Sequence, residues 1–280
     1  MIARDYITAW RLHAPWVSDH QVEQDLVISR ALVEIFGVAD MGRRLAFRGG
    51  TALYKLHIHP AARYSEDIDL VQVVSEPIGD TFDAVRSVLD PWLGQPRRDL
   101  KEGRVSLVYR FWSEDQPPKP LRLKVEINSR EHFTEHGHVP IPFELTSDWW
   151  SGRSEITTFT LDELLGTKLR ALYQRRKGRD LFDLWYALAQ GPASADRVVA
   201  CFERYLREEG HHVTRAAFEE NVARKLTDKQ FRADITGLLR PGIAWDVDDA
   251  GRFVMEHLLV KLPGEPWDGG RSKSIATKTT

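Results

Sequence analysis

The 280-residue chain has one cysteine, Cys201. It can therefore form no internal disulfide and no cysteine-based zinc site, which fits the reducing cytoplasm expected as its location. No stretch approaches the roughly eighteen consecutive apolar residues of a membrane span, so no membrane partner is expected. The opening MIARDYITAWRLHAPW lacks the apolar core of a signal peptide. An excess of one charge is also missing: 39 Lys and Arg stand against 41 Asp and Glu, for a net charge of −2. Bulk charge thus does not advertise a nucleic-acid binder, although a local basic patch stays open. There is no internal repeat, no G-x-S-x-G elbow and no Walker lysine motif, which leaves a serine hydrolase or P-loop ATPase without support. The histidines at His57 and His59, and at His132, His136 and His138 in an expected loop, lack the carboxylate spacing of a zinc site.

Nine tryptophans are present, enough for aromatic anchors to matter in the core or on a binding face. Residues 19–37 read as an amphipathic helix, capped by Ser18 or Asp19, with Val22, Leu26, Ile28, Leu32, Val33 and Phe36 as its apolar stripe. A short apolar run, Leu45–Arg48, leads to a glycine pair and then the start of a helix. Residues 68–74 read as a strand. Residues 80–93 look helical, 105–112 and 121–128 form an antiparallel pair, and 157–160 give a short strand. Helices follow at 161–175, 179–190, 195–208, 216–226, 229–239 and 251–261. The expected class is α+β: a small mixed sheet in 1–155, a mainly helical part over 156–262, and a disordered tail over 263–280.

The most informative segment is FRGGTALYKLHIHPAARYSEDIDLV, residues 47–71. Asp67 and Asp69 are two apart on a strand, so both carboxylates point to one face while Ile68 and Leu70 point to the other. Two adjacent carboxylates repel unless a cation lies between them. Oxygen ligands of this kind suit Mg²⁺, which takes one or two carboxylates together with substrate phosphates. Upstream, Gly49 and Gly50 allow a phosphate to approach the backbone at a helix N-terminus, and Thr51 adds a hydroxyl. A glycine pair alone is an ordinary turn and a D-x-D alone an ordinary strand edge; the combination is specific.

Residues 121–128, LRLKVEIN, alternate apolar and polar side chains. Glu126 on the polar face is either a third acid of the metal site or part of a solvated outer face. Further on, Thr160 and Glu163 form a capping-box pattern. Lys168 then falls on the apolar stripe of the helix they open, between Leu165 and Leu172. It either snorkels to the surface or meets an anion, whether NTP phosphate or a catalytic carboxylate. In QRRKGRDLFDLWYAL, residues 174–188, Asp180 and Asp183 share a helix face beside Arg175, Arg176, Lys177 and Arg179. That basic cluster is either solvated helix surface or a contact for NTP phosphate or an RNA backbone.

GGTAL followed by RYSEDIDL, and later KLRAL with KGRDLFDL, resemble the AbiEii/AbiGii-type nucleotidyltransferase toxins of type IV toxin–antitoxin systems. These lie within the DNA polymerase β-like nucleotidyltransferase superfamily. The likeness covers about residues 45–190, with a longer stretch from Gly50 to Asp67 than the superfamily usually has. The resemblance implies a polymerase β-like core in which Gly49, Gly50 and Thr51 hold NTP phosphates and Asp67 and Asp69 bind the metal. Arg63 and Ser65 flank the acids, as in the family. Lys168 and Asp180 are implied as active-site residues, with Asp183, Arg176 and Arg179 as further candidates, and an acidic residue at the stage of Glu126 is common in the superfamily. The implied activity is Mg²⁺-dependent transfer of NMP from an NTP to RNA, the tRNA 3′ end foremost. The chain would then be the toxin of a toxin–antitoxin or abortive-infection pair, blocking translation and neutralised by a cognate antitoxin encoded nearby. NMP transfer to protein or small-molecule hydroxyls, and a non-catalytic nucleotide- or RNA-binding module, are the alternative readings.

Overall fold

The computed structural model describes residues 2–269. They form two compact units. The first runs as far as Thr160 and includes Gly237–Ile243; the second comprises Leu161–Thr236 and the chain from Ala244 onward.

The first unit contains α1 (Arg4–Trp10), α2 (Asp19–Gly37), α3 (Met41–Arg44), β1 (Leu45–Arg48), α4 (Gly49–Ala52) running on into a π turn at Leu53–His57, and β2 (Asp67–Gln72). After these come α5 (Gly79–Leu93), β3 (Arg97–Lys101), β4 (Arg104–Trp112), β5 (Pro120–Asn128), β6 (His138–Thr146) and β7 (Ser151–Phe159). The strands make one mixed seven-stranded sheet in the order β3-β4-β5-β2-β1-β7-β6. β2 runs antiparallel to β1 and parallel to β5, so the acidic strand lies in the middle of the sheet. α2 packs on β7 and β5 and buries its apolar stripe. At its start Ser18 N–H donates to Gln21 Oε1 at 3.2 Å, which satisfies one of the main-chain donors orphaned at a helix start.

The second unit is helical: α6 (Leu161–Gln174), α7 (Gly178–Gln190), α8 (Ala195–Glu208), α9 (Arg215–Leu226), α10 (Lys229–Ala233) and α11 (Val247–His257), with a last 3₁₀ turn at Leu259–Lys261. α6 packs against α7 and α8, and α7 against α11.

Several elements differ from the sequence reading. His138 opens β6 and is not in a loop. Pro140 and Pro142 hide this strand from pattern analysis, but at the sheet edge a missing N–H costs little. β3, at the other edge, reads RRDLK; charge without alternation blunts an edge and also erases its signal. β7 begins at Ser151, so a boundary after residue 155 would cut a strand that belongs wholly to the first unit. The helix expected at 229–239 stops at Ala233, because the chain beyond it returns to the first unit. There Leu238 O accepts from Tyr64 N–H at 2.8 Å and Arg240 N–H donates to Ala62 O at 2.9 Å. The tail is tied down past Pro263: Pro263 O accepts from Arg215 N–H at 2.8 Å, and Trp267 N–H donates to Glu219 Oε2 at 2.8 Å. The rest of the expected tail, from residue 270, lies outside the described residues.

Candidate active site

Asp67 and Asp69 are half-buried on one face of β2, while Ile68 and Leu70 on the other are 0% and 1% exposed. The alternation of the strand thus drives two carboxylates to a single face by burying their neighbours. Arg48, the last residue of β1, lies opposite Asp69, and the chain turns directly into Gly49. Gly49 has φ +85°, and a Cβ there would stand 2.4 Å from Asp69 Oδ2. Both its conformation and its contact with the carboxylate exclude a side chain. A Cβ on Gly50 would stand 2.5 Å from Arg63 Nη2 and 3.2 Å from Ser65 Oγ. Thr51 Oγ1 lies 2.5 Å from Asp67 O and 2.9 Å from Ser65 Oγ. A carbonyl can only accept, so Thr51 donates to Asp67 O and takes its second bond from Ser65. Residues 49–51 and 63–69, separated in sequence, are therefore joined in one place.

Arg63 is 2% exposed. Its guanidinium donates to Tyr64 O at 2.9 Å and stacks 5.1 Å from the Tyr54 ring centroid, inside the unit and not at its surface. Glu126 is the register partner of Asp69 on β5. Its carboxylate is engaged by Lys124 Nζ at 2.5 Å, Ser106 Oγ at 3.3 Å and Arg104 Nη1 at 3.6 Å. Lys124 lies two residues before Glu126 on the same polar face of β5 and opposite Asp67.

In the second unit Lys168 is 7% exposed, so it does not snorkel. Its ammonium lies 3.2 Å from Asp180 Oδ1 and 2.9 Å from Asp183 Oδ2, both carboxylates being fully buried on α7. Arg175 grips Asp180 with both arms of its fork, Nε to Oδ2 at 2.7 Å and Nη2 to Oδ1 at 2.9 Å. Burial alone would raise the Asp180 carboxyl, but Lys168 and Arg175 outweigh it and hold the group below its ordinary value of 3.8. Of the other basic residues, Arg176 faces Asp228 at 3.5 Å with a side chain 70% exposed, and Arg179 faces Asp234 at 3.7 Å.

A profile described as nucleotidyl transferase AbiEii toxin, type IV toxin–antitoxin system, matches residues 30–252. The chain belongs to this family. It is a nucleotidyltransferase toxin of a type IV toxin–antitoxin system, and membership implies an NTP substrate and an antitoxin partner. Among solved structures, the chain is similar to MenT4, a nucleotidyltransferase toxin from Mycobacterium tuberculosis. The TM-score is 0.68 at 17% identity, over 94% of this chain and 91% of that one. It is also similar to JHP933 from Helicobacter pylori, with a TM-score of 0.53 at 17% identity, over 86% and 92% of the two chains. At such identity the likeness concerns the fold, which is α+β as expected. No curated protein sequence matches significantly.

For this AbiEii chain the donor set bears on the implied metal. Among the described residues, no three His, Cys, Asp or Glu side chains gather as a metal-holding group. Two oxygen-donor carboxylates on one face still fit a hard divalent cation that completes its shell with phosphates and water. Glu126, drawn to Lys124 and Arg104, is committed to cations of the protein itself in this arrangement. No helix among the described residues is long and apolar enough to cross a membrane.

Proposed function

We propose that this toxin transfers a nucleoside monophosphate from an NTP to an RNA hydroxyl in a Mg²⁺-dependent reaction, and so arrests translation. The tRNA 3′ end is the acceptor the family resemblance favours. The acceptor oxygen bonds to the α-phosphorus, and the bond from that phosphorus to the bridging oxygen of the β-phosphate breaks. Pyrophosphate leaves, and the hydroxyl proton passes to solvent.

Asp67 and Asp69 are the residues that hold the cation. When bound, a divalent cation neutralises triphosphate charge and acidifies the attacking hydroxyl. The chain's own contribution is positioning. The main-chain N–H groups that open the helix at Gly49, Gly50 and Thr51 receive the phosphates, with the Ser65 hydroxyl beside them. Holding the two reactants in line can supply about 7–11 kcal/mol of the barrier. Lys168 and Asp180 have a part in catalysis beyond folding, and Arg176 and Arg179 are candidate contacts for the RNA backbone. The observation that carries the reading is the approach of Gly49 to Asp69 Oδ2, which puts the glycine turn against the acidic pair.

The test is to incubate the purified chain with each α-³²P-labelled NTP, Mg²⁺ and total RNA, then with protein alone. Label is expected in RNA of tRNA size and absent without Mg²⁺. Label confined to protein, or incorporation that persists in EDTA, contradicts the proposal.

A further inference from the structure

Within the first unit a cavity of about 220 Å³ lies beside the helix that follows the glycine turn. Its polar centre is Asp25 on α2, 4% exposed. Asp25 Oδ1 accepts from Trp10 Nε1 at 2.9 Å and from Lys55 Nζ at 2.6 Å, and Oδ2 accepts from Trp16 Nε1 at 3.2 Å. One buried carboxylate thus fixes two indoles that line the cavity, with their N–H ends turned to it. Lys55 gives a second proton to Ser29 Oγ at 2.9 Å, and no described residue takes its third. Phe143 and Glu144 of β6 close another side.

The lining says what fits. Its charged groups balance, with Asp25 and Glu144 against Lys55 and Arg63. His59 is held towards its neutral form by burial and by Lys55. A balanced, aromatic-walled cavity suits a neutral flat ring and not a polyanion. The volume exceeds that of a single water, about 30 Å³, and falls below a drug-sized site of about 300–1,000 Å³. It therefore takes one heteroaromatic ring and not a whole nucleotide. Thr51 and Ser65 belong both to this lining and to the glycine turn. A ring in the cavity and phosphates at the turn can thus be parts of a single molecule.

We propose that this cavity, walled by Trp10, Trp16 and Phe143 and floored by Asp25, Ser29 and Lys55, binds the base of the NTP substrate. The inference rests on the phosphate site proposed above. The remaining proton of Lys55 suits a ring carbonyl oxygen, as in cytosine, uracil or guanine.

Two variants of the full chain test it: Ser29→Leu, which fills the cavity, and Phe143→Ala, which removes a wall at the sheet edge. Calorimetric titrations with Mg²⁺ compare α,β-methylene NTPs, inorganic tripolyphosphate, and a short RNA. Both variants are expected to bind the preferred NTP analogue at least tenfold more weakly, with tripolyphosphate and RNA unchanged and with circular dichroism as for wild type. Unchanged NTP affinity in Phe143→Ala overturns the proposal. So does an equal loss for tripolyphosphate, or a loss confined to RNA. A wild type that binds the NTP analogue but not tripolyphosphate removes the phosphate-site reading. The base pocket still stands in that case if the variants weaken NTP binding.

Discussion

Replacing Asp67 or Asp69 by asparagine will lower nucleotidyl transfer about 10³-fold or more while leaving the fold intact. Asparagine keeps the volume and one oxygen but removes the charge on which cation binding depends. A cation in such a site contributes several kcal/mol of charge stabilisation, and ~4 kcal/mol corresponds to about three decades in rate. Both side chains are half-buried at the surface of β2 while its core face is made by Ile68 and Leu70, so the strand has no reason to leave the sheet. The check is initial rates of labelled NMP incorporation beside thermal unfolding of each variant, and toxicity on induced expression. A double variant no slower than either single one is also expected, because the two carboxylates act as a unit. Variants that stay as toxic and as active as wild type would mean that the acidic pair is only a strand surface.

Replacing Lys168 by methionine is expected to cost stability and activity together, by separable routes. The ammonium is buried between two carboxylates that are fully excluded from solvent. Removing one member of such a group costs about 3–5 kcal/mol, since the carboxylates keep their desolvation penalty and lose its charge. Adding Asp183→Asn to Lys168→Met removes one of those charges and will return part of the stability. Activity will not return with it if the lysine also serves the reaction. A double variant that recovers both would make Lys168 purely architectural.

The wild-type group also has a pH signature. The folded Asp180 carboxyl lies below its ordinary value of 3.8. Its stabilisation is therefore complete above that value and is lost as pH falls through the lower, folded value. Denaturant midpoints measured from pH 6 down to pH 2.5 should fall in the acid range for wild type. The fall should be weaker for Lys168→Met, in which Asp180 keeps Arg175 but loses one of the two cations that favour its ionised form.

The sequence was legible where local chemistry and burial agree. The D-I-D alternation on β2 needs nothing but the sheet to aim both acids one way, and α2 announced itself by period and cap over the range observed, Asp19–Gly37. The inward lysine on α6 was legible as a cation in need of an anion, but not which anion meets it. Its partners, Asp180 and Asp183, come from the next helix, and only packing decides that both turn inward. The edges were not legible. β3 and β6 carry charge and proline because an edge strand must not template another chain, and those residues mimic a loop. The return of Gly237–Ile243 to the first unit was equally hidden, since it rests on main-chain bonds to Ala62 and Tyr64 that carry no side-chain signature. The alternation of β5 puts Glu126 on the polar face but does not say which strand lies alongside; pairing with β2 sets it opposite Asp69, and Lys124 and Arg104 claim its oxygens.

In the proposed reaction Asp67 and Asp69 share a divalent cation with NTP phosphates seated on the Gly49–Gly50 turn. Crystals grown with Mn²⁺ and a non-hydrolysable NTP, recorded at the manganese absorption edge, test it most directly. An anomalous peak is expected within coordination distance of both carboxylates and of a phosphate oxygen. A peak elsewhere on the molecule, or phosphates bound away from Gly49 and Gly50, would contradict it.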